Sequence, residues 1–244
     1  FYSRIMASFD RVIAISKTVE KYVNENYERY LKKPPRLIYR GSDEKYFSNS
    51  FVPSESYKDN FFKQFTNLKN QKIITFPGRL SSWKGQESFI KLMSDLPDDY
   101  SGLIVGPYKS AKPKYLNSLK KLIEDYRLQN KVHFYNAKDD IREIYYLSEV
   151  VLNLSSKPEP FGRTILEAAM MGKKIAGWDR GGPGEVLDMC FPQGKVEFNK
   201  FNSLVETVKT LSESKDIPSN IFLTSDLMHS KTIGFYLDAI DKNS

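Results

Sequence analysis

Between residues 72 and 178, five short apolar runs alternate with amphipathic stretches, and no other feature constrains the chain as strongly. The runs are KIITF (72–76), GLIVG (102–106), KVHFY (131–135), EVVLNL (149–154) and KKIAGW (173–178). They are nearly continuous in apolar character, as strands covered on both faces are. Between them, residues 86–94, 113–127, 139–147 and 163–171 place apolar side chains at helical spacing, and a short helix is expected near 184–188. Strands separated by helices pair in parallel through right-handed crossovers. The fold class is therefore α/β, a Rossmann-like doubly wound parallel sheet with helices on both faces. Such sheets bind ligands beyond the C-terminal ends of their strands, which directs attention to the loops after residues 76, 106, 135, 154 and 178.

The flanks extend this pattern. RVIAI (11–15) reads as a strand, and Ser16 with Glu20 starts a helix that Lys32-Lys33-Pro34-Pro35 stops. Residues 37–39 form another short strand and Arg40 to Asp43 a turn. Further helices are expected at 57–65, 200–213 and 225–241. The hydrophobic fraction of 40% in 244 residues excludes global disorder. The single Cys190 excludes an internal disulfide framework and a Cys-based zinc site. No apolar run approaches the ~20 residues of a membrane-spanning helix. The net charge is +7, and residues 1–40 carry nine basic and four acidic residues, +5 of it. That excess suits an anionic surface, a nucleic acid, or simply a solvated face. The chain opens at Phe1 without Met or a signal peptide, so it reads as a piece excised from a longer protein.

Three loops carry candidate chemistry. After the strand at 72–76 comes Pro77-Gly78-Arg79-Leu80-Ser81-Ser82-Trp83-Lys84-Gly85. Gly78 permits a tight turn, and Arg79 and Lys84 offer a planar fork and a point charge to a diphosphate. The P-loop spacing is absent, and the same two cations also read as solvated surface charges. After residue 154 comes a loop in which Pro158 and Pro160 hold Glu159 extended, and Phe161-Gly162 lead into a helix containing Glu167. The open N–H groups at that helix start favour an anion or hydroxyl oxygens. Each carboxylate can accept from two hydroxyls of a vicinal diol. Two diols flanking a diphosphate describe a nucleotide sugar; Glu167 alone also fits a carboxylate favoured by a helix dipole. After residue 178, Gly181, Gly182 and Gly184 leave room for a ligand or form a plain turn.

EPFGRTILE (159–167), with its E-x7-E spacing, resembles retaining glycosyltransferase family 4, as does PGRLSSWKGQE (77–87). DRVIAIS (10–16) and LIYRGSDEKYF (37–47) resemble the segments that close that family's N-terminal domain and lead into its C-terminal domain. The wording is closest to bacterial lipopolysaccharide-core or capsular sugar transferases, mannosyltransferases among them. The resemblance implies the C-terminal half of a GT-B glycosyltransferase. Residues 1–40 would be a remnant of the N-terminal domain, 41–222 the donor-binding domain, and 223–244 a helix packing back toward the remnant. Gly78, Arg79 and Lys84 would meet the donor diphosphate. Glu159, with the backbone at Phe161 and Gly162, would hold the hexose, and Glu167 the ribose. The base would stack around Tyr135, Asn136 and Ala137. Arg79, Lys84 and Glu159 would be the catalytic groups.

The same resemblance implies a UDP- or GDP-hexose donor and a glycan or lipid-linked acceptor. It implies no nucleic-acid partner, no cofactor and, with no Asp-x-Asp sequence present, no metal. A cytoplasmic location, with peripheral contact to the inner membrane, is expected. Most of the N-terminal domain, with the family's acceptor site and catalytic His, is expected to lie outside this chain. Neither His133 nor His229 matches that His; both read as structural, His133 within a buried strand. The piece alone is then expected to be inactive. Competing readings are a non-catalytic nucleotide-binding Rossmann module, a basic nucleic-acid binder, and a GT-B epimerase or phosphorylase.

Overall fold

The computed structural model describes residues 2–136, 140–219 and 221–241. In chain order the strands are β1 (Ile13–Ala14), β2 (Arg36–Leu37), β3 (Lys72–Pro77), β4 (Tyr100–Val105), β5 (Val132–Tyr135), β6 (Val150–Asn153), β7 (Lys174–Trp178) and β8 (Lys195–Val196). The helices are α1 (Tyr2–Ala7), α2 (Lys17–Tyr27), α3 (Glu55–Gln64), α4 (Gln86–Asp95), α5 (Pro113–Asp125), α6 (Ile141–Leu147), α7 (Arg163–Met170), α8 (Gly181–Cys190), α9 (Phe201–Glu213) and α10 (Ser225–Asp241). The expected helix start at residue 139 lies outside the described residues.

Six strands form one parallel sheet in the order β5-β4-β3-β6-β7-β8. The chain builds outward from β3 through β4 to β5, then returns to place β6 on the other side of β3, with Ile74 opposite Val150 and Thr75 opposite Val151. The order therefore reverses between β3 and β6, the switch point where crossovers diverge and a crevice opens. The alternation of side chains along each strand feeds two cores. Ile74, Phe76 and Ile104 enter the larger one, with Phe89, Ile90 and Leu166 from the helices. Ile73, Leu103 and Val105 enter the other, with Phe61 and Phe65 on and beside α3 and Ile144 on α6.

Outside this sheet, β1 and β2 pair in parallel with α2 between them, a small β-α-β unit. Only two residues of RVIAI are strand, because β2 offers just two partners. The chain passes from this unit to the large sheet at Gly41-Ser42, where Ser42 N–H donates to Leu223 O at 3.0 Å and Ser225 N–H to Ser42 O at 2.8 Å. A Cβ at Gly41 would lie 2.0 Å from Thr224 O, so only glycine allows this approach. Beyond it, α10 lies along the N-terminal segment. Arg11 donates from its guanidinium to Asp238 O at 3.0 Å and sits 5.1 Å from the Phe235 ring centre. No helix among the described residues is long and apolar enough to cross a membrane.

Candidate active site

The loops after β3 and β6 flank the switch point and are tied together by backbone. Gly85, at φ +98°, begins α4, and a Cβ there would lie 2.1 Å from Leu154 O. Ser156 N–H donates to Trp83 O at 2.8 Å. Gly78 takes φ +154° where β3 ends, and no atom lies within 4 Å of a Cβ placed there. Glycine is needed for the backbone angle, and the space before it is open. Gln86, fully buried, reads the loop from beneath: its Nε2 donates to Arg79 O at 3.0 Å and its Oε1 accepts from Tyr115 Oη at 3.1 Å.

Lys84 and Glu159 meet directly. Lys84 Nζ donates to Glu159 Oε2 at 2.7 Å, and the two side chains are 18% and 11% exposed. Glu159 Oε1 accepts from Asn153 Nδ2 at 2.9 Å and from Ser155 Oγ. Three donors thus hold one buried carboxylate and fix its orientation. Asn153 and Ser155 escape a reading by motif; the signal is a polar pair at the C-terminal end of an otherwise apolar strand. Arg79, by contrast, is exposed, and its guanidinium has no partner among the described residues.

Glu167 is 6% exposed on α7. Its Oε1 lies 3.0 Å from Arg163 Nε, and its Oε2 accepts from the buried Tyr145 Oη at 3.3 Å. Burial holds its carboxyl above the usual carboxylate range, with Arg163 as the strongest opposing influence. Gly162 begins α7 without a side-chain cap, which leaves the leading N–H groups of that helix for another acceptor. Phe161 is buried beside it.

The structure relocates several expected features. The glycines after β7 do not form an open loop. α8 starts at Gly181, three residues earlier than expected, and Gly181 and Gly182 let the 158–161 loop pack closely against the helix start. A Cβ at Gly182 would lie 2.3 Å from Phe161 Cα, and one at Gly162 would lie 2.7 Å from Pro183 Cα. The Tyr135 ring turns into the core beside α3, 5.7 Å from the Phe61 ring, with its hydroxyl 3.3 Å from that of Tyr57. Asn136 follows it, half-buried, and Ala137 lies outside the described residues. His133 is only half-buried, on edge strand β5, with Nε2 2.9 Å from Asn67 Nδ2. Burial lowers its pKa. His229 is exposed on α10. Among the described residues, no group of three His, Cys, Asp or Glu side chains is placed to hold a metal ion.

Parallel α/β sheets open a crevice at the switch point beyond their strand C-termini, and here Lys84 and Glu159 meet beside it. Residues 58–222 match the family model of the glycosyl transferases group 1, and the chain belongs to that family. An uncharacterized glycosyltransferase of Methanocaldococcus jannaschii is 32% identical over 188 residues, 75% of this chain and 44% of the relative. Mannosylfructose-phosphate synthase of Agrobacterium fabrum is 30% identical over 176 residues, 69% of this chain and 37% of the synthase. The chain spans less than half the length of either relative. The crystal structure of a glycosyltransferase from Rickettsia africae superposes with a TM-score of 0.79 at 26% identity, covering 100% of this chain and 66% of that one. Anabaena HepE in complex with UDP-glucose superposes with a TM-score of 0.72 at 25% identity, covering 84% of this chain and 54% of that one. These neighbours share the GT-B fold.

Proposed function

We propose that this chain is the donor-binding, C-terminal half of a retaining hexosyltransferase of family 4. The enzyme would move a hexose from UDP- or GDP-hexose to a glycan or lipid-linked acceptor in lipopolysaccharide or surface-polysaccharide synthesis. The observation that carries this reading is the Lys84–Glu159 pair beside the switch point, held by Asn153 and Ser155, with the uncapped start of α7 next to it in sequence. HepE, whose fold this chain shares, was solved with UDP-glucose, which supports a nucleotide-sugar donor.

In the reaction, the bond from the anomeric carbon to the diphosphate would break, its electron pair leaving with the phosphate oxygen, while the acceptor hydroxyl oxygen bonds the anomeric carbon and passes its proton to the leaving phosphate. Arg79 and Lys84 would neutralise that growing charge, and Lys84 would turn from Glu159 toward the diphosphate or bridge the two. Glu159 would then accept from hexose hydroxyls, and Glu167 from the ribose. Tyr135 would anchor the base-side loop through its packing, and Asn136 would lie beside the base. Gly78 and Gly162 would let the backbone approach the ligand, with Phe161 packed beneath.

Residues 1–40 and 223–244 would belong with an N-terminal domain that supplies the acceptor site, so this piece alone would not transfer sugar. No metal or other cofactor would be needed. The enzyme would work in the cytoplasm, against the inner membrane. Removing one preorganised donor to a developing charge typically costs about 2.7–4 kcal/mol. Arg79→Ala and Lys84→Ala in the intact protein are therefore expected to lose turnover by about a hundredfold or more. Near-normal turnover in both would sink the assignment.

A further inference from the structure

Glu185 accepts four hydrogen bonds, and none of the donors lies in the sheet domain. Its Oε2 accepts from Lys17 N–H at 2.9 Å and Tyr39 Oη at 2.9 Å. Its Oε1 accepts from Thr18 N–H at 2.7 Å and Thr18 Oγ1 at 2.6 Å. The next N–H of α2, that of Val19, goes to Ser16 Oγ at 3.1 Å. The first turn of α2 is therefore satisfied partly by its own cap and partly by a carboxylate from α8, with the charge at the favourable end of the helix dipole.

Ser16 makes a second connection. It is fully buried, and its hydroxyl donates to Pro160 O at 2.7 Å, the residue after Glu159. The other side of that loop rests on the first turn of α8, where Gly182 N–H donates to Glu159 O at 2.8 Å. A Cβ at Gly181 would come within 2.8 Å of Glu159 N, so helix and loop touch without a side chain between them. The segment 159–162 is thus gripped between Ser16 at the start of α2 and Gly181-Gly182 at the start of α8. Glu185, one turn along α8, fastens those two helix starts to each other.

We propose that Glu185 and Ser16 are positioning residues for the sugar end of the donor site. They act through the backbone of Glu159 to Gly162 and make the fit of the hexose depend on how the N-terminal β-α-β unit is seated. The proposal rests on the donor-site reading above. It assigns no ligand contact to either residue. Loosening the clamp would let the Glu159 backbone drift, while the diphosphate end, built on Gly78 to Lys84 and anchored by Gln86, would stay in place.

The test is calorimetric titration of the chain and of Glu185→Ala, Glu185→Gln and Ser16→Ala with UDP, GDP, UDP-glucose and GDP-mannose. Amide hydrogen exchange across residues 159–162 is read on the same samples. We expect the affinity for the preferred nucleotide sugar to fall about tenfold in Glu185→Ala and Ser16→Ala, and less in Glu185→Gln. Affinity for the parent nucleotide should stay within twofold, and exchange at Glu159, Phe161 and Gly162 should quicken. If Glu185→Ala does not fold, Glu185→Gln and Ser16→Ala carry the comparison. Parallel loss of both affinities, or an unchanged ratio of the two, would overturn the proposal, since a purely structural brace lowers stability without selecting the sugar. A wild-type chain that binds none of the four probes would remove the donor-site reading itself, and the proposal with it.

Discussion

Replacing Lys84 by Met removes the cation that donates to Glu159, a carboxylate that is 11% exposed. Stripping a buried ion pair of one partner typically costs about 3–5 kcal/mol, because the other charge stays desolvated. Here Asn153 and Ser155 still donate to Glu159 Oε1, and hydrogen bonds to a charged acceptor are strong. The cost of Lys84→Met is therefore expected at the low end, about 3 kcal/mol. The reverse change, Glu159→Gln, should cost only about 1–2 kcal/mol. Lys84 is 18% exposed and lies 4.7 Å from the Trp83 ring centre, so it can turn to water or stay on the ring. The double variant buries no charge, and its cost should fall well short of the sum, leaving a coupling of about 2–3 kcal/mol. Urea unfolding of the four proteins measures this directly, and the Lys84→Met melting temperature should drop by about 6–12 °C for a domain of this size. A coupling below about 0.5 kcal/mol would mean that the pair behaves as a surface contact and that Glu159 is not pre-set by Lys84.

Other perturbations probe neighbouring parts of the site. Glu167 has its carboxyl pKa raised by burial, so its protonated form favours the folded state, and that stabilisation is lost as pH rises through the folded value. The stability advantage of Glu167→Gln over wild type in urea should then grow from pH 4 to pH 7, and a gap independent of pH would refute the cause given. Gly162→Ala drives a Cβ to 2.7 Å from Pro183 Cα, a backbone atom that cannot step aside, and should cost about 1–3 kcal/mol in urea unfolding. Arg79→Ala removes an exposed side chain and should leave stability within about 0.5 kcal/mol of wild type while weakening nucleotide binding. Transfer by the intact protein should proceed undiminished in EDTA, and dependence on an added divalent ion would contradict the proposed charge neutralisation by Arg79 and Lys84.

The strands of the large sheet were legible because burial on both faces leaves continuous apolar runs such as KIITF and EVVLNL. β8 was not, since two residues show no periodicity. The strand order was also hidden: nothing local in residues 149–154 says that they return beside β3 rather than extend from β5. That adjacency makes neighbours of the two motif loops, so Lys84 and Glu159 could be named separately but their pairing could not. Asn153 and Ser155 passed unnoticed because each reads as an ordinary strand end. The glycines at 181–184 were ambiguous for a physical reason: glycine marks close approach, and what approaches Gly181 and Gly182 is the 158–161 backbone, and what approaches Gly184 is Asp179. Glu185 lies 168 positions from Lys17, and only the folded chain brings the α2 start to it.

Calorimetric titration of this chain with UDP, GDP, UDP-glucose and GDP-mannose, repeated on Glu159→Ala, tests the donor site most directly. One nucleotide should bind, its hexose conjugate should bind more tightly, and Glu159→Ala should erase the increment due to the sugar while sparing the nucleotide. Binding that ignores the sugar, or that survives Glu159→Ala unchanged, would contradict the donor-site reading and leave a nucleotide-binding domain with no role in choosing a hexose.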